Sequence, residues 1–425
     1  MRAVEGLIAA LAAIAASQAA ADTTIIHAGS VLTDAESSPS GPATITVTDG
    51  KIVSIEEGFA PTPEGATMIH LDEHVVIPGL IDLHTHLSGE TGSDFRDVTV
   101  NPAEWYTLVA AKNARITALA GFTTVRDLGS RTDQVTQSLR RATAEGVVPG
   151  PRIVTSARTI SIVGGHGQQN NGFHKHVADA LDPGFTCTGP VECAEKVRMA
   201  SKYGADLIKF PATGGVLSQQ GRGLEAHFTD EEMRAMVDTA NSLGLNVASH
   251  AHGARGIEAA ARAGVQTIEH GTYIDEDAAK AMRENGTILI PTLMAFQGIK
   301  ERLGKGIYTP VVEEKVRAVS AYAESIVERA IMYDVKMAFG TDAGVFPHGQ
   351  NAREFGLMRK GGMSDKEAFA SATTVAAEVL GLENEIGRIA PGFSADIIAV
   401  KGNPLDDVTV LEDVDWVMVR GRVVE

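Results

Sequence analysis

The sequence predicts an α/β protein in which a TIM-like (β/α)8 barrel is joined to a small β-sandwich domain built from both chain ends. Three observations support this fold class. Short apolar runs alternate with alanine-rich helical segments through the middle of the chain, residues of alternating polarity occupy both ends, and ionisable side chains follow several of the apolar runs. Strands that alternate with helices are typical of parallel βαβ units. The 425 residues suffice for a barrel and a smaller domain.

The overall composition argues against several kinds of partner. Hydrophobic residues make up 44% of the chain and charged residues 21%, as in ordinary globular proteins. The formal net charge of −17 argues against a nucleic-acid surface, which needs clustered Lys and Arg. No apolar run of the mature chain reaches the roughly 20 residues that span a bilayer. We therefore expect a small-molecule substrate, no nucleic acid, and no membrane partner for the mature form.

The first 21 residues have the pattern of a secretory signal peptide. Arg2 precedes the apolar run 7–16, and small residues at 19–21 match a signal-peptidase site. The mature chain would begin near Asp22, and the protein would be exported, to the periplasm or out of the cell. Glu5 weakens the positive start of this segment, which leaves a helical N-terminal extension as the alternative.

The two cysteines of the chain, Cys187 and Cys193, flank a Gly-Pro turn. In an exported protein their spacing permits a local disulfide, and two unpaired thiols are the alternative. Because two cysteines alone make a poor zinc site, we expect no structural metal there.

Residues 22–77 and 386–425 are predicted to form the β-sandwich domain, and residues 78–385 the barrel between them. Both outer segments contain short runs of alternating polarity, and Asp49-Gly50 is typical of a hairpin turn. The two ends are therefore expected to pair into one domain.

Eight strands are predicted in the barrel: Ile77–His86, Thr123–Leu128, Arg152–Ala157, Asp206–Pro211, Asn246–His250, Thr267–His270, Thr287–Pro291 and Lys336–Thr341. Segments between them are predicted as helices, for example Pro102–Ala120, Glu192–Tyr203, Thr229–Leu243, Ala254–Ala263 and Val311–Tyr333.

Six side chains that can bind metals lie at the ends of these strands or just beyond them: His84, His86, Lys209, His250, His270 and Asp342. The carboxyl ends of barrel strands meet on one face, where active sites lie. His84 and His86 are two apart on a strand, so both point the same way, and imidazole is a good ligand for zinc and related divalent ions. The pattern predicts a metal site at this face.

The sequence resembles the amidohydrolase superfamily from Thr23 to Glu425. The resemblance depends on six motifs: PGLIDLHTH at 78–86, LIK at 207–209 with ATGG at 212–215, SHAHG at 249–253, IEHGT at 268–272, FGTDAG at 339–344 and GRIAPGFSADI at 387–397. Within the superfamily the chain is most similar to exported or bacterial dipeptidases that cleave Xaa-Pro and related dipeptides. That group includes enzymes that split the amide bond of ochratoxin A.

The resemblance implies a centre of two divalent ions, zinc by its ligands, although cobalt or manganese would also be tolerated. His84 and His86 would bind one ion, and His250 and His270 the other. Lys209 would bridge the ions as an anionic carbamate formed with CO2, with a structural salt bridge as the alternative. Asp342 would contact the first ion, with an N-cap or Asx-turn role as the alternative. Relatives of this kind also commonly form homo-oligomers.

The implied reaction is hydrolysis of an amide in a small substrate with a terminal carboxylate: a dipeptide such as Xaa-Pro, an N-acyl amino acid or ochratoxin A. A hydroxide that bridges the ions would attack the amide carbon, and the catalytic residue Asp342 would pass the proton to the leaving nitrogen. Rival hypotheses are hydrolysis of cyclic amides, lactones or phosphoesters, and a non-catalytic scaffold. All six ligands are present, which argues against a scaffold.

Four residues are candidates for binding the substrate: His166, Arg222, Tyr273 and His252. The first three lie in loops and could donate hydrogen bonds to a carboxylate. His252 lies two residues after a predicted ligand, so it could contact substrate, orient a ligand or serve a structural role. Asp82 and the pair Arg126-Asp127 are expected to orient ligands rather than to bind metal or substrate.

Overall fold

A computed structural model describes residues 22–92, 95–130, 132–168, 170–182, 184–219 and 223–425. The predicted signal peptide, residues 1–21, and the candidate Arg222 lie outside the described residues. In the part of the chain that the structure describes, no helix is long and apolar enough to cross a membrane.

The strands, in chain order, are β1 (Thr23–Val31), β2 (Ala43–Thr48), β3 (Lys51–Glu57), β4 (Thr67–Pro78), β5 (Leu80–Thr85), β6 (Phe122–Asp127), β7 (Arg152–Thr155), β8 (Ser161–Ile162), β9 (Thr186–Cys187), β10 (Leu207–Pro211), β11 (Asn246–Ala251), β12 (Thr267–His270), β13 (Ile288–Ile290), β14 (Ile397–Val400), β15 (Val414–Val419) and β16 (Arg422–Val423).

The α-helices are α1 (Ala103–Leu119), α2 (Val135–Glu145), α3 (Lys175–Ala180), α4 (Pro190–Lys202), α5 (Asp230–Ser242), α6 (Ala254–Ala263), α7 (Glu276–Asn285), α8 (Leu293–Lys300), α9 (Pro310–Ala323), α10 (Ile326–Met332), α11 (Arg353–Lys360), α12 (Asp365–Ser371) and α13 (Thr374–Leu380). Two short 3-10 helices span Phe95–Thr99 and Val408–Glu412.

Strands from both chain ends form one seven-stranded sheet, in the order β16-β15-β14-β4-β1-β2-β3, which we call the terminal sheet. β14 pairs antiparallel with β4, and β1 pairs parallel with β4. The edge strand β3 also bonds to the segment that precedes β14. The Ile52 N–H donates to the Phe393 carbonyl (2.9 Å), and the Gly392 N–H donates to the Ile52 carbonyl (2.8 Å). The predicted sandwich is therefore one continuous sheet that curls around a buried cluster including Ile26, Ile45 and Ile397.

Three parallel sheets occupy the middle of the chain: β5-β6-β7, β10-β11-β12-β13 and the two-stranded β8-β9. Isolated parallel bridges connect Thr159 with Lys209, Leu289 with Met337, and Thr85 with Ala343. Helices follow most of these strands and bury alanine-rich faces against them. The α/β class with parallel sheets is confirmed, and the strands end on the side where the predicted ligands lie.

The predicted eighth strand, Lys336–Thr341, is not a regular strand. Among its residues Met337 forms an isolated bridge with Leu289, and Ala343, just beyond the segment, forms another with Thr85. The Thr341 N–H donates to the Asp82 carboxylate (3.1 Å) rather than to a neighbouring carbonyl, and Asp342 has a φ of +63°. A side-chain acceptor and a left-handed residue interrupt the ladder at this point.

The predicted helix Val311–Tyr333 is two helices, α9 and α10. Ser325 between them leaves the helical region at φ −110° and ψ 10°. Its hydroxyl donates to the Tyr322 carbonyl at 3.1 Å. Serine side chains compete in this way with helix hydrogen bonds, which explains the break.

Cys187 in β9 and Cys193 in α4 form a disulfide. Both side chains are buried. The bond settles the choice between a local disulfide and two unpaired thiols in favour of the disulfide.

Candidate active site

Most of the predicted site residues surround one cavity of about 800 Å³. All six predicted ligands line it, together with two of the candidate substrate-binding residues: His84, His86, Lys209, His250, His270, Asp342, His166 and His252. They come from the ends of β5, β10, β11 and β12, from the 337–343 segment and from the loop after β8. Parallel strands that end on one side bring together residues far apart in sequence.

His84 and His86 each commit one ring nitrogen to a hydrogen-bond acceptor. His84 Nδ1 lies 2.8 Å from the Glu269 carboxylate, and His86 Nδ1 lies 2.9 Å from the Gly129 carbonyl. Both partners only accept, so both Nδ1 atoms carry the proton and both Nε2 atoms keep a lone pair. Each Nε2 approaches the same Asp342 oxygen, at 3.5 Å and 3.3 Å. Metal-binding histidines are typically oriented in this way.

His250 and His270 are oriented by the same logic. The Thr292 hydroxyl donates to the Pro291 carbonyl (2.8 Å), so it accepts from His270 Nδ1 (2.6 Å) and leaves Nε2 free. His250 Nε2 lies 3.3 Å from the Gly214 carbonyl, which leaves Nδ1 as its free nitrogen. The two ring centroids are 4.5 Å apart.

Burial favours the neutral form of three of these histidines. It lowers the pKa of His84, His250 and His270 well below the ordinary value, because the charged imidazolium is desolvated. Neutral imidazole is the form that binds metal. His84, His270 and Asp342 place one ligand atom each within 4.8 Å of one another, as do His250, His252 and His270.

Two predicted ligands occupy strained backbone positions. Asp342 has a φ of +63° and His270 a φ of +75°. The Asp342 N–H donates to the His84 carbonyl at 2.7 Å, which ties the carboxylate to the end of β5. Burial raises the pKa of Asp342 above its ordinary value. Such strain costs about 1–3 kcal/mol per residue and concentrates at functional sites.

Lys209 is buried, and its Nζ has no hydrogen-bond partner among the described residues. Burial also lowers its pKa. A buried ammonium without a partner is costly, whereas an anionic derivative of the same side chain would complement divalent ions. The neutral histidines, the carboxylate and this lysine together fit a divalent-metal centre.

Sequence reasoning missed Glu269, the residue before His270. Its buried carboxylate accepts from His84 Nδ1, from Arg126 Nη2 at 2.9 Å and from the Thr267 hydroxyl at 2.5 Å. Arg126 in turn donates Nε to the Leu83 carbonyl at 2.6 Å. A carboxylate inside a four-residue buried strand was the available signal, because a charge there needs partners.

Replacing Glu269 by Ala should therefore destabilise the protein strongly. The change leaves Arg126 buried without its anion, and we expect the free energy of unfolding to fall by about 3–5 kcal/mol. Urea denaturation of chelator-treated protein would measure this without a contribution from bound metal.

The matched control is Glu378→Ala, which removes the carboxylate of the exposed Lys336–Glu378 pair (2.9 Å). Exposed pairs contribute about 1 kcal/mol or less. Equal losses in the two variants would contradict the role of Glu269.

Asp82 holds the ends of β5 and the 337–343 segment together. Its carboxylate accepts from the His84 N–H (3.0 Å), the Thr341 hydroxyl (2.6 Å) and Asn351 Nδ2 (2.8 Å). Asp127 similarly accepts from the Leu87 N–H at 2.7 Å. As expected from the sequence, these carboxylates position the ligand-bearing segments.

The candidate substrate-binding residues lie in different surroundings. His166 packs its ring 4.4 Å from His250 and bonds Ser218 through Nδ1 at 2.5 Å. A Cβ at Gly215 would lie 2.2 Å from the His166 ring, so a glycine is required there. His252 Nδ1 lies 2.7 Å from the Thr272 hydroxyl. Both histidines face the cavity.

Among the described residues that line the cavity, Tyr273 is absent. Its ring packs on Tyr322 with the centroids 4.7 Å apart, because the chain after His270 turns away toward α9. The structure therefore does not bring Tyr273 to the site, in contrast to the expectation from sequence.

The outer cavity wall contains residues that sequence reasoning did not single out, including Phe296, Ile299, Arg302, Tyr308 and Val312. They belong to the segment from α8 to α9. No local motif marks them, because only the packing of this segment over the strand ends brings them to the cavity.

A sequence model of the amidohydrolase family matches residues 75–424. The buried histidine clusters could bind the divalent metals that this family uses. Fold and site thus define the class of protein: a hydrolase that acts on amide bonds.

The relatives define the class more closely. Ochratoxinase of Aspergillus niger is 30% identical over 429 residues, which cover 94% of this chain and 85% of the relative. A crystal structure of a Xaa-Pro dipeptidase with bound methionine in the active site is 38% identical, with a TM-score of 0.87 and coverage of 95% and 100%. A prolidase complexed with N-methylphosphonate-L-proline is 31% identical, with a TM-score of 0.84 and coverage of 95% and 99%. The chain belongs to the amidohydrolase family, in its Xaa-Pro dipeptidase-like branch.

Proposed function

We propose that the protein is a binuclear metal-dependent hydrolase of amides in small substrates with a terminal carboxylate. Xaa-Pro and related dipeptides, N-acyl amino acids and ochratoxin A belong to this substrate class. One observation carries the proposal: Lys209 Nζ is buried without a hydrogen-bond partner among the described residues, at a cavity lined by neutral histidines and Asp342.

The side chains present suit two divalent ions, which we propose to be zinc. His84, His86 and Asp342 would hold one ion, and His250 and His270 the other, with Lys209 as a carbamate between them. When bound, such ions lower the pKa of water and polarise a carbonyl oxygen. Asp342 would accept the proton of the attacking water and deliver it to the leaving nitrogen, which leaves poorly unless protonated.

The arrangement of strands supports a closed (β/α)8 barrel as the scaffold. Three bridges, at Lys209, Met337 and Ala343, connect the sheet β5-β6-β7, the sheet β10-β11-β12-β13 and residues 337–343 into a ring. We further propose that the protein is exported and forms a homo-oligomer. The Cys187–Cys193 disulfide supports export, since disulfides persist in oxidising compartments.

Arg302 is the residue that we assign to the substrate's carboxylate. It is half-buried at the cavity wall, and its Nη1 donates to the Val345 carbonyl at 2.6 Å. The Val345 N–H in turn donates to the Asp342 carbonyl at 3.1 Å, so Arg302 is anchored one turn from Asp342.

Replacing Arg302 by Met should therefore raise KM for a dipeptide by about 10- to 100-fold, the value of one or two hydrogen bonds to a charged group. The KM for a C-terminally amidated analogue, which lacks the anion, should change little in the same variant. Steady-state kinetics with both substrates measures the difference. Lys300→Met, at the exposed end of α8, is the control, and an equal rise in KM for both substrates would refute the assignment.

The proposed function is tested by metal analysis and a substrate screen of purified, zinc-loaded protein. We expect close to two ions per chain and the highest kcat/KM on Xaa-Pro dipeptides, other dipeptides, N-acyl amino acids or ochratoxin A. One ion or none would overturn the binuclear centre. Faster hydrolysis of cyclic amides, lactones or phosphotriesters would favour the rival reaction, and no hydrolysis at all would indicate a scaffold.

A further inference from the structure

A second group of potential metal ligands lies on the terminal sheet, away from the cavity. His27 in β1 is the direct partner of His70 in the neighbouring strand β4, and Asp72 follows two residues later. Ile26, Ala28 and other alternate residues face the buried cluster, so these three side chains lie on the opposite face. One ligand atom from each lies within 4.8 Å of the others.

The His27 ring is held in place by its surroundings. Its Nε2 lies 2.9 Å from the Ala60 carbonyl, and its ring stacks on Phe59 with the centroids 4.6 Å apart. A carbonyl only accepts, so Nε2 carries the proton and Nδ1 keeps the lone pair. A histidine that donates its other N–H to a carbonyl is typical of a metal ligand, because the bond fixes both the tautomer and the ring orientation.

His70 and Asp72 complete the group. His70 Nδ1 lies 3.6 Å from Asp72 Oδ2, close to the separation of about 3.3–3.5 Å between two ligands of one tetrahedral zinc. Opposite Gly29, β4 has a bulge. A Cβ added at Gly29 would lie only 2.2 Å from the Asp72 carbonyl oxygen. Bulges redirect side chains, and this one lies at the end of the ligand group.

We propose that His27, His70 and Asp72 form a binding site for a first-row divalent cation, Zn²⁺ or Cu²⁺, on the terminal sheet. Two imidazoles and one carboxylate suit these ions and discriminate against Ca²⁺ and Mg²⁺, which prefer oxygen ligands. The bound ion links β1 to β4. The chain continues from β4 into β5, which contains the proposed active-site ligand His84. Three protein ligands leave coordination positions for water.

Equilibrium dialysis against Zn²⁺ tests the site in the full-length protein, whose active site is saturated first. The wild type should bind one more ion per chain than His70→Gln, with kcat/KM unchanged between them. Cu²⁺ added to protein that carries zinc only in its active site should give an electron paramagnetic resonance spectrum with coupling to two nitrogens. In His27→Gln that coupling should fall to one nitrogen.

Two controls separate this site from others. His176→Gln removes an exposed histidine elsewhere and should keep the additional ion. His84→Ala should also keep it, even though the active-site ions are lost, so the two proposals can fail independently. Equal ion counts in wild type and His70→Gln, or loss of the ion in His176→Gln, would overturn the site.

Discussion

Asp342→Asn is expected to abolish turnover while the protein stays folded. Asparagine keeps the size of the side chain and tolerates the positive φ of 63° at this position. It cannot accept the proton of the attacking water, and general acid–base catalysis of this kind contributes about 10²–10⁴ in rate. We therefore expect kcat to fall by about a hundred- to ten-thousandfold, with a near-normal melting temperature.

The control for this variant is Asp334→Asn. Asp334 is exposed, lies outside the cavity lining and also has a positive φ, of 54°. The chemical change and the backbone conformation are therefore matched, and kcat should not change. Kinetics of both variants, with metal content measured alongside, separates proton transfer from metal binding. If Asp342→Asn retains most of its kcat, the proton-transfer role is wrong.

Much of the site could be located from sequence because it follows from regular structure. Lys209 and His250 lie near the carboxyl ends of neighbouring buried strands, and parallel strands bring such positions together. The pair His84 and His86 adds a second sign, since residues two apart on a strand face the same way. For these residues a local pattern was enough to predict proximity.

The remaining features depend on contacts that no local pattern describes. The segment Lys336–Thr341 is predicted as a strand, but the Asp82 carboxylate accepts from the Thr341 N–H and interrupts the ladder. Tyr273 lies three residues after His270 yet packs on Tyr322. Arg302 reaches the cavity only because the segment after α8 folds back to Val345. Each outcome is decided by a partner distant in sequence.

Lys209→Ala is the second change with a large expected effect. If the lysine bridges two ions as a carbamate, its removal deletes two ligand oxygens at once. We expect both metal content and kcat to collapse, since even partners that only orient ligands are worth about 10–100-fold in metal affinity. Metal analysis after dialysis and steady-state kinetics measure the two losses.

The same variant distinguishes the carbamate from a structural ammonium. Truncation to Ala leaves space for a small carboxylate, so acetate should partly restore both metal content and kcat. Lys315→Ala is the control, because that buried lysine donates to the carbonyls of Gly215 and Ser218, and an anion cannot replace a donor. Lys209→Arg keeps a positive charge but cannot form a carbamate. If Lys209 is a structural ammonium, Lys209→Arg should stay active and acetate should not rescue Lys209→Ala. If it is a carbamate, Lys209→Arg should be inactive and acetate should rescue Lys209→Ala, because the site needs an anion between two dications.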